Sequence, residues 1–186
     1  MLKTEIRKHI SSIRAKLSSE QVIKAKHEIA IKIIEHESFI KSKNIALYIP
    51  HKKELDPRMI MQSNLTKSFY APCVLPNKQL SFTKVSTNSN FTKNKYGILE
   101  PPYNPKETLN PSELDLVLVP SVAMDYSNNR IGYGGGYYDI NFAFKKENDH
   151  LPPYLLALIY DFQLIGNIEP NEHDVKCDAH LIATTK

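Results

Sequence analysis

Glycine is scarce in this chain, with six residues in 186, tryptophan is absent, and there are only two cysteines. Each shortage excludes something. Cys73 and Cys177 lie far apart and supply neither a disulfide framework nor a metal-ligand cluster. His173 and His180 lack the regularly spaced partners of a zinc site. No serine, cysteine or histidine constellation resembles a nucleophilic triad. Long apolar runs are also missing: segments such as Leu155–Tyr160 are far too short to span a bilayer, so no membrane role is expected. The amino-terminal segment has no continuous apolar stretch after a basic start and does not read as a secretory signal. A soluble cytoplasmic protein with free thiols is the expectation. With 41% hydrophobic residues, the chain suits a single domain over residues 1–186 with a sizeable core.

Against that scarcity, four of the six glycines crowd into five residues: Gly132, Gly134, Gly135 and Gly136, within Arg130-Ile-Gly-Tyr-Gly-Gly-Gly-Tyr-Tyr-Asp139. Glycine costs backbone entropy, so such crowding implies a geometric need. A loop of this kind can turn consecutive N–H groups toward an anion. Arg130 can pair with phosphate through its fork of donors. Asp139 can hold Mg²⁺, which prefers one or two carboxylates together with phosphate oxygens. The plainer alternative is a tight structural turn, but that gives the flanking Arg and Asp no role. The run is neither a dinucleotide fingerprint, since the third glycine position falls on Tyr137, nor a Walker A loop, since no Gly-Lys-Ser/Thr follows. Tyr133, Tyr137 and Tyr138 could stack on a flat ring or serve as core.

The net charge is +4, and the excess is local. Residues 1–26 carry seven Lys/Arg against two Glu. A basic helix fits nucleic acid or a small polyanion such as a nucleotide; the other 160 residues give no extended nucleic-acid surface. Ile6, Ile10, Ile13 and Leu17 repeat at helical spacing over residues 2–17. At 100° per residue Lys3, Arg7 and Arg14 point at about 0°, 40° and 20°, bordering that apolar stripe. They can reach into a cleft and contact phosphates, or form a snorkelling, solvated flank.

Ser18-Ser-Glu-Gln21 is a capping box for a second helix through Ile29 and Ile33. Strands are expected at Ile45–Ile49, Phe69–Leu75, Leu80–Val85, Tyr96–Leu99, Leu116–Val119, Tyr154–Tyr160 and Leu181–Ala183. Asp56-Pro57 should start a helix reaching about Lys67, and Tyr137–Lys146 another. Apolar strands alternating with helices imply an α/β domain with a mainly parallel central sheet flanked by helices on both faces. Ligands in such folds bind beyond the carboxyl ends of strands. Leu116–Val119 feeds through Pro120 toward the glycine loop. Glu54 lies just past Ile49-Pro50, without an evident capping role, and could receive N–H donors from an amino-heterocycle. Near the carboxyl end, Asp174 or Asp178 could complete a metal site with Asp139.

Taken together, these residues resemble the 5-formyltetrahydrofolate cyclo-ligase family. The resemblance rests on Arg130-x-Gly-x-Gly-Gly-Gly-Tyr-Tyr-Asp139, Lys3-x-x-x-Arg7, Arg14 with Leu17-Ser18, Glu54-Leu-Asp56, Leu114–Pro120 and Asp174-Val-Lys-Cys-Asp178. It implies an ATP-dependent, ADP-forming closure of 5-formyltetrahydrofolate to 5,10-methenyltetrahydrofolate by a monomer. It implies that Lys3, Arg7 and Arg130–Tyr138 bind ATP, that Ile49, Glu54 and Tyr133–Tyr137 contact folate, and that Asp139 and Asp174 hold Mg²⁺. Arg130, Tyr137 and Asp139 would stand nearest the chemistry. Two positions depart from the family pattern: Ile140 stands where Arg is frequent, and Gly135 where some members carry Lys. The competing readings are another phosphate-binding enzyme on a related α/β scaffold, sugar-phosphate isomerase or acyl-transferase-like, and a basic nucleic-acid-binding module. The latter predicts salt-sensitive polynucleotide affinity and leaves the glycine loop and Asp139 without a role.

Overall fold

The computed structural model describes residues 2–62, 66–148 and 150–186. Eleven strands run in chain order: β1 Asn44–Ala46, β2 Ser68–Val74, β3 Leu80–Val85, β4 Thr92–Lys93, β5 Leu99–Glu100, β6 Thr108–Leu109, β7 Leu116–Pro120, β8 Ala123–Met124, β9 Arg130–Ile131, β10 Tyr154–Tyr160 and β11 Ala179–Ala183. The helices are α1 Lys3–Ala15, α2 Ser19–Glu35, α3 Glu37–Lys41 and α4 Tyr137–Asn141. The central sheet has the order β11-β10-β7-β1-β2-β3-β6. From β11 to β2 all neighbours are parallel; β3 and β6 are antiparallel additions at one edge.

Alternation along the strands sorts the core into two layers. Ile45, Leu116, Leu118, Leu156 and Leu158 face Ala25, Ile29 and Ile33 of α2 and Phe39 of α3. Ala46, Val117, Val119, Leu155, Ala157 and Ile159 face the other way, onto Phe142 just after α4. Helices therefore cover both faces, as the apolar strand pattern predicts. The capping box forms as read: the Gln21 N–H donates to Ser18 Oγ at 3.1 Å and the Ser18 N–H to Gln21 Oε1 at 2.9 Å.

The strand expected at Tyr96–Leu99 is displaced, because Tyr96 and Gly97 lie in a hairpin turn and β5 begins only at Leu99. Three further expected elements come out shorter. The β1 ladder ends at Ala46; the Leu47 N–H still donates to the Tyr70 carbonyl at 2.8 Å, and Leu47–Ile49 continue as buried chain. The helix expected from Pro57 is a 3₁₀ turn, Pro57–Met61, capped by Asp56 accepting from the Arg58 N–H at 3.0 Å. Residues 63–65 of that expectation lie outside those described, and Lys67 instead closes α3, donating to the carbonyls of Phe39 and Ser42. The helix from Tyr137 breaks after Asn141, whose side chain turns to the Leu80 N–H and the Lys78 carbonyl, and a 3₁₀ turn over Ala143–Lys146 follows.

The short helix α3, the strands β4 and β6 and the β8–β9 ribbon were not anticipated; the ribbon separates β7 from the glycine loop. Asp125 shapes its turn by accepting from the N–H groups of Ser127 and Asn129 and, from a distant segment, Ile168. Ile10 of α1 packs on Val122, Ala123 and Ile131 in and beside this ribbon. That contact docks the basic helix over the loop.

Candidate active site

After β1 the chain turns one way, to β2, and β7 later takes the opposite side of β1. Such a switch point opens a crevice at the carboxyl ends of parallel strands. Here it is a cavity of about 720 Å³. Tyr48, Ile49, His51 and Glu54 come from the segment after β1, Pro120 from the end of β7, and Arg130–Asp139 from the chain beyond it.

One wall is cationic. Lys3, Arg7 and Arg130 all line the cavity. Arg7 Nε donates to the Gly132 carbonyl at 2.7 Å, pinning the loop under α1. The loop needs its glycines. Gly134 and Gly136 have φ of +94° and +73°, values that strain residues bearing a Cβ. A Cβ on Gly135 would stand 2.9 Å from the Tyr137 ring. Among the described residues, no acceptor meets the main-chain N–H groups of Gly132–Gly136, so they are free to face an anion.

The carboxylates are held by cations. Asp139 Oδ1 accepts from Arg130 Nη2 at 2.9 Å and from the Val175 N–H at 3.2 Å. Asp174, one residue before Val175, pairs with Lys3. Burial alone would raise the Asp174 carboxyl, but bonds from Lys3 and the Asn171 N–H, with the charges of Lys3 and Arg130, pull it below its ordinary value. Both aspartates line the one cavity. No group of three or more His, Cys, Asp or Glu able to hold a metal exists among the described residues. Two carboxylates beside an anion loop nonetheless fit Mg²⁺, which completes its shell with waters and phosphate oxygens. Asp178 is engaged elsewhere, bonded to Lys145 and to the Leu155 N–H. His180 Nδ1 meets the Asn128 side chain.

The opposite wall is apolar around one buried acid. Glu54 accepts from the Tyr133 hydroxyl and, at 2.7 Å, from the His51 N–H. Burial raises its carboxyl above the ordinary value, with Tyr133, His51 and Arg14 acting against that. Ile49, Pro72, Val74 and Leu80 contribute apolar surface to the same cavity. The β4–β5 hairpin adds Tyr96, Ile98 and Leu99 to the lining. Tyr137 donates to the Tyr96 hydroxyl at 2.8 Å; that bond, with burial and the nearby Tyr96 and Glu100, pushes the Tyr137 phenol up to about 12.

The structure thus gathers Lys3, Arg7, Ile49, Glu54, Arg130, Gly132–Asp139 and Asp174 around one space. Two sequence candidates do not line it: Asp178, engaged with Lys145, and Arg14, which is buried behind Glu54. Sequence reasoning missed Tyr48, the β2 residues Pro72 and Val74, and the hairpin. The available signal for the last was the Asn94-Lys-Tyr-Gly97 turn, where Asn94 Oδ1 accepts from the Tyr96 and Ile98 N–H groups.

A switch-point cleft with a glycine anion loop, converging cations and paired aspartates defines a phosphate-handling α/β enzyme. Comparisons with known proteins narrow this further. The model of the 5-formyltetrahydrofolate cyclo-ligase family matches residues 1–183, and the chain belongs to that family. A 5-formyltetrahydrofolate cyclo-ligase of Haemophilus influenzae is 32% identical over 176 residues, covering 91% of this chain and 90% of that protein. One from Mus musculus is 25% identical, covering 89% and 85%. The NMR structure of Aquifex aeolicus 5,10-methenyltetrahydrofolate synthetase matches with a TM-score of 0.80 and 29% identity over 100% of this chain and 91% of that one. The protein is an enzyme, an ATP-dependent cyclo-ligase of this family. ATP and Mg²⁺ use follow at the family level. No helix among the described residues is long and apolar enough to cross a membrane.

Proposed function

We propose that the cleft holds ATP against its cationic wall and 5-formyltetrahydrofolate against its apolar wall, and closes the folate's five-membered ring between them. The observation that carries this reading is the sharing of one cavity by the two chemically different walls. The formyl group on N5 is amide-like and a poor electrophile. Transfer of the γ-phosphoryl group to the formyl oxygen, releasing ADP, turns that oxygen into a leaving group. N10 then attacks the same carbon and gives up its proton, which leaves with the phosphate or to water; the C–O bond breaks, and phosphate departs with formation of the 5,10-methenyl bridge.

The protein's share is alignment and charge stabilisation. Lys3, Arg7, Arg130 and the loop N–H groups would meet the phosphate oxygens and the charge that develops on the transferred group. Asp139 and Asp174 would hold Mg²⁺, which when bound neutralises phosphate charge. Glu54 would accept N–H donors of the pterin, with Ile49 and the Tyr133–Tyr137 stretch against the ring. Tyr137, whose phenol stays protonated through the neutral range, would donate and pack rather than act as a base. The enzyme works as a single-domain monomer, residues 1–186, without nucleic-acid or membrane partners, in the cytoplasm. Formation of 5,10-methenyltetrahydrofolate, followed by absorbance with ATP present and omitted, tests the reaction. Absence of ATP-dependent product would overturn it, and light scattering after size exclusion tests the monomer.

A further inference from the structure

Lys3, Arg7 and Arg14 share a flank of α1, yet only the first two reach the cleft. Arg14 is 3% exposed. Its Nη1 stands 3.9 Å from Glu54 Oε1, and its guanidinium carbon 5.6 Å from the centre of the Tyr133 ring. Among the described residues Arg14 Nε has no hydrogen-bond partner, and the narrow gap around it, shared with Glu54, Ser121 and Gln163, leaves no room for a water. Burying a guanidinium is costly unless its charge is met. The carboxylate it faces is Glu54.

We propose that Arg14 is a positioning residue for the folate side of the site: its charge holds the Glu54 carboxylate as an anion, in its buried seat and turned to the cleft, so that it can accept pterin N–H donors. The proposal rests on the reading of Glu54 as the folate acceptor. The other groups acting on Glu54 do not supply this charge. Tyr133 donates a neutral hydroxyl, and His51 reaches it through its main-chain N–H with only a minor charge interaction from the ring. Tyr48, Tyr138 and Tyr160 feel its charge and are neutral phenols held above their ordinary values by burial. Arg14 is the permanent cation in the set. Burial pushes the Glu54 carboxyl up and Arg14 opposes it.

The test separates the two substrates. Arg14→Met should raise the KM for 5-formyltetrahydrofolate about tenfold or more, with the KM for ATP changed less than about twofold. The acid limb of the pH profile of kcat/KM for the folate should move up by about one unit or more, the scale of a lost neighbouring charge. Arg14→Lys, which keeps the charge, should hold the limb near the parent's position. In a Glu54→Gln background, Arg14→Met should add little to the folate KM, because the group it acts through is gone. A rise in ATP KM alone would place Arg14 on the nucleotide side and overturn the proposal. Equal losses for both substrates, in both backgrounds and with Arg14→Lys alike, would mark a purely structural residue and do the same. Glu54→Gln alone keeps the failures distinct: an unchanged folate KM there overturns the Glu54 reading, whereas a raised KM with an unmoved acid limb in Arg14→Met overturns only the role of Arg14.

Discussion

Arg130 Nη2 donates to Asp139 Oδ1 at 2.9 Å, and the same oxygen accepts from the Val175 main-chain N–H. The glycine loop therefore has a salt bridge across its ends, between the residue that enters it and the first acid beyond it. The Val175 bond ties this bridge to the segment that carries Asp174. Arg130 also lies over the Tyr138 ring, 5.4 Å from its centre. Geometry and charge are supplied here by the same few groups, so a substitution that preserves shape can separate them.

Asp139→Asn preserves shape and an acceptor while removing the charge. Turnover should fall by about a hundredfold or more, the scale of losing a charged contribution to phosphoryl transfer. The thermal midpoint should move by only about a few degrees, since Asn can still accept from Arg130. Turnover measured across a magnesium titration checks this. Parental activity at limiting Mg²⁺ would remove Asp139 from the metal site.

Gly134→Ala probes the loop itself. With φ at +94° the new methyl strains the backbone by about 1–2 kcal/mol. Its Cβ would sit 3.6 Å from the Arg7 guanidinium carbon, an ordinary contact, so crowding is not the cause. The expected result is weaker ATP binding with a smaller rise in the folate KM, since Gly134 also lies in the Tyr133–Tyr137 stretch. Gly135→Ala should differ, because its Cβ would meet the Tyr137 ring at 2.9 Å and push that ring into the folate side. Steady-state kinetics with each substrate varied in turn distinguishes the two.

Arg7→Ala removes a cation and the bond from Arg7 Nε to the Gly132 carbonyl. Affinity for a non-hydrolysable ATP analogue, measured by isothermal titration, should drop about tenfold or more, as expected for a charge-assisted contact. An unchanged affinity would make Arg7 a loop clamp rather than a phosphate ligand.

The sequence was informative wherever a local rule sufficed. The Ser18–Gln21 box needs four residues, and both of its bonds form. The apolar runs at Leu116 and Tyr154 became adjacent parallel strands because β-rich segments buried on both faces have few other places to go. The β8–β9 ribbon was illegible, since each strand is two residues long and leaves no periodicity to read. Helical angles put Arg7 and Arg14 on one flank, but angle does not report depth. Along α1, Arg7 bonds the glycine loop whereas Arg14, seven residues on, is buried. The contact between Tyr133 and Glu54 joins residues 79 apart in the chain, which only the fold can bring together.

Asp174 offers a stability test in chelator, without substrates. Its carboxyl is held below its ordinary value of 3.8. A depressed carboxyl contributes stability above its unfolded value and loses it as pH falls through the folded one. Asp174→Asn should therefore be less stable than the parent near neutrality. The gap should close as pH falls from about 5 to below 3. Urea unfolding at a series of pH values measures this; a gap independent of pH would mean that Lys3 does not stabilise the charged form.

Glu54 makes the opposite prediction, and for binding rather than folding. Burial raises its carboxyl above the ordinary 4.5, so its protonated form sets in at milder acidity than for an exposed glutamate. A protonated carboxyl loses the charge that strengthens its acceptance of ring N–H donors. The parent's affinity for 5-formyltetrahydrofolate should fall as pH drops through that raised value. Glu54→Gln should start about ten- to a hundredfold weaker, the cost of a charge-assisted bond of roughly 1.5–3 kcal/mol, and lack that acid step. ATP-analogue affinity should be nearly the same in both proteins, because the phosphate contacts belong to the opposite wall. Parallel titrations of the two ligands at several pH values decide it. Normal folate affinity combined with lost ATP affinity in Glu54→Gln would reverse the assignment of the two walls, and with it the nucleotide role of the glycine loop and α1.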